Sequence, residues 1–277
     1  MSNFVKFIEI SAMAIPVLES VKAIGQRYRT GEEPVSVLCS DFNVYVCKYM
    51  RSSAVAYKLC SEYVGARLAM AWQLNTPNIA LVKIKPMHWE GLHLSHSLSA
   101  LSLGSQWLDG VVDITPSTYA NVSVNVKMLK DLLKIALFDF WTANEDRNAN
   151  NANLMYDVAH DRLVSIDYGC ILNTATFDYP LSQLTSTDTI LCSDLFLHLA
   201  NCQDKTVIFT LAELLKAEYE NSLQKSCEQI GSILEEMPQE WKVPMEAVQE
   251  KLSQLHDKQW MADVWENFME CLIENTK

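Results

Sequence analysis

The sequence predicts an α+β protein of two lobes: a small antiparallel sheet with one helix over residues 1–85, and a mainly helical lobe over residues 86–277. Three observations carry this prediction. β-Rich runs crowd the first 85 residues, helix-period stripes dominate beyond residue 122, and a polar, asparagine-rich loop followed by a short hairpin breaks the helical pattern at residues 144–166. With 277 residues, 49% of them hydrophobic, the chain has enough apolar material for a sizeable core and too much for a disordered segment.

Taken in order, residues 17–24 have an extended, partly alternating pattern. Val-Ser-Val-Leu-Cys at 35–39 and Val-Tyr-Val-Cys-Lys-Tyr at 44–49 flank the turn signal Ser40-Asp41-Phe42-Asn43, so an antiparallel meander is expected. Between Ala54 and Trp72 the apolar residues Ala56, Leu59, Tyr63, Ala66 and Ala69 recur near helical spacing, which predicts one amphipathic helix. Ile79 to Ile84 is a short buried strand stopped by Pro86. The polar residues and glycines that follow, Gly91, Gly104 and Gly110, predict an irregular link, with the lobe boundary in it. Leu129, Leu132, Leu133, Ala136, Leu137 and Phe140 then form a strong helical stripe. Residues 154–156 and 163–166 read as two short strands, residues 170–190 as a loop, and the remainder from Asp194 as at least four helices. Trp241, Trp260 and Trp265 stand at helical spacings and are read as core.

Composition excludes several functions. A net charge of −12 opposes a broad grip on nucleic acid or an anionic membrane, since neutralising phosphates needs a basic surface. Residues 207–277 alone hold six lysines against fourteen acidic residues, so the acidity gathers at the C-terminal end. No apolar run approaches the ~18–20 residues of a membrane span, and the first residues lack a signal-peptide pattern, so a cytoplasmic protein is expected. Eight scattered cysteines without a C-x-x-C pair read as reduced thiols. His88, His93 and His96 have no interleaved carboxylate or cysteine and are not read as metal ligands.

The chemistry-bearing stretch is Asn144-Glu145-Asp146-Arg147-Asn148-Ala149-Asn150-Asn151, closed by Asp167-Tyr168-Gly169. Protein kinases place a catalytic Asp five residues before a metal-binding Asn, and a second metal-binding Asp at the end of a short hairpin. Asp146, Asn151 and Asp167 follow that spacing, and the hairpin returns the chain so that Asp167 can face the same metal as Asn151. One Asn and one Asp suffice for magnesium, which keeps water and phosphate as its other ligands. Lys48, in Val-Tyr-Val-Cys-Lys on a predicted strand, and Glu62 on the next helix stand where a kinase pairs a lysine with a glutamate. Singly, Asp146 and Asn151 are also good turn residues, and Lys48 and Glu62 good surface residues; their order in the chain is what favours chemistry.

These residues resemble the HipA-like kinases, distant relatives of the phosphatidylinositol 3/4-kinases and protein kinases, over roughly residues 15–200. The resemblance implies a two-lobed, protein-kinase-like fold that uses ATP and Mg²⁺. It implies that Asp146 orients or deprotonates an acceptor hydroxyl and that Asn151 and Asp167 hold the metal. Lys48 and Glu62 would serve the phosphates, the loop from Gly25 to Pro34, with Gly31, would cover them, and the backbone of Val82, Lys83 and Ile84 would meet the adenine. It further implies a Ser or Thr acceptor on a protein, and an antitoxin-like or regulatory protein as partner. Asn148 stands where the family usually has His, and the covering loop carries Glu32 and Glu33, which would repel phosphate if they pointed inward. Those departures keep a second reading, a catalytically weak pseudokinase-like module that binds a nucleotide or a partner. The hydroxyls of Thr174, Thr176, Ser182, Thr185, Ser186 and Thr187 suit either an autophosphorylated segment or an ordinary polar loop.

Overall fold

The computed structural model describes residues 14–89, 100–115, 117–118, 125–174 and 177–276. The first eight residues, Gly91, His93, His96 and Thr176, on which expectations were placed, lie outside them.

The first lobe is built on five strands: β1 (Val17–Glu19), β2 (Val35–Leu38), β3 (Val44–Lys48), β4 (Ile79–Lys83) and β5 (Ser102–Gln106), in the spatial order β1-β4-β5-β3-β2. The expected β2–β3 hairpin forms because Asp41 closes its turn, accepting from the Asn43 amide at 3.1 Å and the Tyr45 hydroxyl at 2.8 Å. Strand alternation then buries Val35, Val37, Tyr45 and Cys47 on one face, in a small cluster with Val82, Ile84 and Trp89.

Two expectations change here. β1 does not join the meander but runs parallel to β4, and Ser20 turns the chain away: its amide donates to the Lys83 carbonyl (3.1 Å) while its hydroxyl accepts from the Lys85 amide (2.9 Å). The stretch expected as an irregular link contributes β5, the middle strand of the sheet, paired with both β3 and β4. Gly104 suggested a loop, yet it is a strand glycine at a close approach, where a Cβ would meet Val82 Cγ2 at 2.9 Å and Tyr45 Cβ at 3.0 Å.

Helix α1 (Ser53–Ala71) is buried without interruption from Leu59 to Ala69. It is therefore not the one-faced amphipathic helix expected: the sheet packs on one side and the second lobe on the other. That lobe begins with a three-stranded antiparallel sheet, β6 (Val111–Asp113), β7 (Leu154–Asp157) and β8 (Arg162–Ser165); β6 is too short to show in a sequence pattern. Helix α2 (Val126–Thr142) starts at the Asn125 cap, whose side chain accepts from the Met128 amide at 2.8 Å. Four helices follow as expected: α3 (Asp194–Asn201), α4 (Lys205–Glu235), α5 (Met245–Gln254) and α6 (Lys258–Asn275). Trp72, at the end of α1, stacks on Trp141 of α2 (5.1 Å) and meets Tyr219 of α4 edge-on (5.7 Å), so one core joins the lobes. Trp241 is buried in it, with Trp260 and Trp265 packed against it. No helix among the described residues is long and apolar enough to cross a membrane.

Candidate active site

The Lys48 ammonium is the hub of the first group of side chains. Projecting from the end of β3, it bonds Glu62 Oε2 of α1 at 2.8 Å and Asp167 Oδ1 at 2.8 Å, with Glu32 Oε2 at 3.0 Å. The expected strand lysine, helix glutamate and post-hairpin aspartate thus meet, although 119 positions separate Lys48 from Asp167. Glu62 also accepts from the Tyr168 amide at 2.9 Å, which fixes the Asp167-Tyr168-Gly169 turn against α1. Burial works to lower the Lys48 ammonium, but Glu62, then Asp167 and Glu32, hold it well above the usual lysine range. Burial likewise acts to raise Asp167, yet Lys48 and the bonds around the turn bring its carboxyl down to about 2. Glu62, more deeply enclosed, is pushed by burial up to about 7 against the pull of Lys48.

The second group lies in the loop after α2. Asp146 Oδ2 accepts from the side-chain amides of Asn151 (2.9 Å) and Asn153 (3.0 Å), so the candidate catalytic carboxylate is held from two sides. Asn153 was not singled out from the sequence; only the fold shows that residue 153 turns back on Asp146. It and Asp167 both adopt left-handed backbone (φ 45° and 59°), which Asn and Asp tolerate better than most residues. Asn148 is occupied with the loop itself: its side chain donates to the Glu145 carbonyl (3.0 Å) and accepts from the Asn150 amide (2.9 Å). Its backbone pairs with that of Asn151. The position usually filled by His is therefore a turn former here, which explains why Asn suits it.

Beneath both groups lies an ion pair that sequence reasoning missed. Arg147, fully buried, bonds Asp139 Oδ1 of α2 at 2.6 Å and the Ile166 carbonyl at 2.8 Å, and its guanidinium lies 5.4 Å from the Tyr168 ring centre. Asn144 donates to the same Asp139 oxygen at 2.8 Å. One buried carboxylate on α2 thus fixes the Asp146 loop, and Arg147 ties that loop to the Asp167 turn. The signal for it was Arg147 beside Asp146 and an Asp in the apolar stripe of α2, legible only once folding brings them together. The Cys170 thiol, pushed up to about 11 by burial and then by the Asp146 carboxylate, also feels Asp167 and Glu32. All eight cysteines are free.

Other expected residues are placed differently. Gly31 lies at an exposed loop tip, its carbonyl accepting from Arg51 at 2.9 Å. Val82 and Lys83 are not brought to the Lys48 group: β4 is paired with β5 on one edge and β1 on the other, and β5 separates it from β3. The Lys83 carbonyl is already used by Ser20, and Ile84 is buried in the small outer cluster. This strand offers an adenine no open backbone edge. Glu32 and Glu33 diverge, Glu32 pointing inward to Lys48 and Glu33 pairing with Arg27 and Arg51.

A two-lobed fold that brings a strand lysine, a helix glutamate and an Asp-x-Gly turn together, and ties the Asp-x4-Asn loop to that turn through Arg147, is that of a kinase-like phosphotransferase. The chain belongs to the HipA-like kinase family, whose profile matches residues 21–267. Among solved structures it is similar to the proinflammatory kinase CtkA of Helicobacter pylori, at 14% identity and a TM-score of 0.55 over 94% of this chain and 99% of that one. It is also similar to the Golgi casein kinase, at 11% identity and a TM-score of 0.49 over 93% of this chain and 75% of the other. No curated protein matches it.

Proposed function

We propose that the protein transfers the γ-phosphoryl group of ATP to a hydroxyl, with Ser or Thr of a protein as the acceptor class. The observation that carries this is the convergence of Glu62 and Asp167 on Lys48 at 2.8 Å each, with Asp146 held beside Asn151 in the loop that Arg147 ties to the Asp167 turn. Lys48, oriented by Glu62, would contact the phosphates. Asp167, ionised at neutral pH because its carboxyl titrates at about 2, and the amide oxygen of Asn151 are hard donors that fit Mg²⁺. Bound there, the ion would neutralise charge on the β- and γ-phosphates. Asp146, aimed by the amides of Asn151 and Asn153, would accept the hydrogen bond of the attacking hydroxyl and then its proton. The base fits where the chain leaves β5, residues 107–110, because β5 directly flanks the Lys48 strand and the chain passes there between the lobes.

The test combines melting temperatures, with and without ATP and Mg²⁺, and transfer of labelled γ-phosphate to the protein itself and to lysate proteins. A ligand that binds only the folded state raises the melting temperature by mass action. Asp146→Asn is expected to keep the ATP-dependent shift and lose transfer, and Asp167→Ala to lose the Mg²⁺-dependent part of the shift. Turnover retained in both variants would remove the assignment. The inward position of Glu32 favours a second reading, a weakly catalytic nucleotide- or partner-binding module, which a wild-type shift without transfer would support.

A further inference from the structure

Apart from the cleft, a cavity of about 550 Å³ opens between the residues just after α1, one face of α2, the turn joining β7 to β8, and α4. Its volume lies in the range of small-molecule sites, about 300–1,000 Å³. Its lining is basic in a chain of net charge −12: Lys127, Lys130, Lys134 and Arg162 line it with Asp131 and Glu218, and Asp157 pairs with Arg162 from outside the lining. The three lysines recur at intervals of three and four residues, which places them on one side of α2. They share their counter-charge poorly. Glu218 is bonded to Lys130 at 2.5 Å and stands 3.7 Å from Lys134, beyond hydrogen-bond reach, although the Lys134 side chain is only 18% exposed. Burial lowers the Lys134 ammonium, against the pull of Glu218. Arg162 reaches Asp157 at 3.0 Å and Asn75 at 3.3 Å, while Lys127 donates to the carbonyls of His160 (2.8 Å) and Asp161 (3.0 Å).

Shielding an ammonium from water with its carboxylate partner no closer than 3.7 Å, as at Lys134, is costly unless another anion completes the set. We propose that this cavity binds a small, multiply charged anion of the phosphate-monoester class, held by Lys130 and Lys134 from α2 and by Arg162 from β8. Donors arriving from two elements suit a tetrahedral group with oxygens on several sides, and a volume of about 550 Å³ suits a small molecule. The site uses none of the residues assigned to phosphoryl transfer, so it stands or falls separately from that function.

The test titrates inorganic phosphate, against chloride at matched ionic strength, into the full chain and follows the melting temperature. Wild type and Lys48→Met are expected to be stabilised alike, because the cleft is not involved. Lys134→Met and Arg162→Gln are expected to need at least about tenfold more phosphate for the same shift. Should Lys134→Met fail to fold in chloride, Lys130→Gln, altered at a more exposed position, carries the same expectation. An equal shift in wild type and the cavity variants, a shift lost only in Lys48→Met, or none beyond that in chloride would each overturn the proposal.

Discussion

Under the proposed function, Glu32 is the residue on which nucleotide access to Lys48 would turn. Of the three carboxylates around the ammonium, Glu62 and Asp167 belong to the helix and to the turn after the hairpin, whereas Glu32 belongs to the loop expected to cover the phosphates. Neighbouring Glu33 takes a left-handed backbone (φ 47°) and pairs with Arg27 and Arg51, and Arg51 also holds the Gly31 carbonyl. These contacts stake the loop on both sides of Glu32 and keep it turned inward. An incoming phosphate competes with Glu32 for Lys48 and meets like charge if the carboxylate stays. Glu32→Gln is therefore expected to tighten ATP binding by about tenfold, ~1.4 kcal/mol, in a calorimetric titration. Weaker binding in that variant would show instead that Glu32 aims the lysine. The sequence reading carried the charge of Glu32 and Glu33 but not their directions, because adjacent loop residues diverge only once backbone angles are set.

At the scale of elements, α1 passes over the Asp167 turn without room to spare. A Cβ on Gly65 would lie 2.4 Å from Tyr168 Cβ and 3.3 Å from Ile171 Cδ1. Replacing a helix-interior glycine by alanine ordinarily gains about 0.5–1 kcal/mol. Here the added methyl must push the helix off the turn, and Glu62, three residues before, bonds both Lys48 and the Tyr168 amide. Gly65→Ala is expected to lower the melting temperature and weaken Mg-ATP binding together; a raised melting temperature with unchanged binding would mean that the helix can slide. The same contact separates what the sequence revealed from what it hid. The meeting of Lys48, Glu62 and Asp167, and the Asp146–Asn151 contact, were legible from spacing and element order. Asn153, Arg147 and Asp139 were not, because their roles arise from contacts between loop, turn and helix. β5 was hidden by Gly104, and β1 by a parallel pairing to a strand sixty residues away that no local pattern announces.

Across the whole molecule, α1 belongs as much to the second lobe as to the first. Arg67 bonds Glu236 at 2.6 Å and Ser232 at 3.1 Å near the end of α4, Tyr63 meets Trp241 edge-on at 6.0 Å, and Trp72 stacks on Trp141. The main core accordingly runs from Ile79, Leu81 and Leu103 of the sheet through α1 and α2 to the last helix, while only the outer face of the sheet has a cluster of its own. α1 is thereby tied to α4 through Arg67 and to the sheet through the Lys48–Glu62 pair. Arg67→Met tests this anchoring. Glu236, with 27% of its side chain exposed, can regain water, so the stability cost is expected to be about 1–3 kcal/mol, less than for breaking a fully buried pair. Amide exchange in α1 should rise, and Mg-ATP affinity should fall, because Glu62 lies on the same helix as Arg67. Loss of stability with unchanged exchange and affinity would show that the sheet, the loop and the Asp167 turn hold Lys48 and Glu62 in place by themselves, making the anchor to α4 a matter of stability alone.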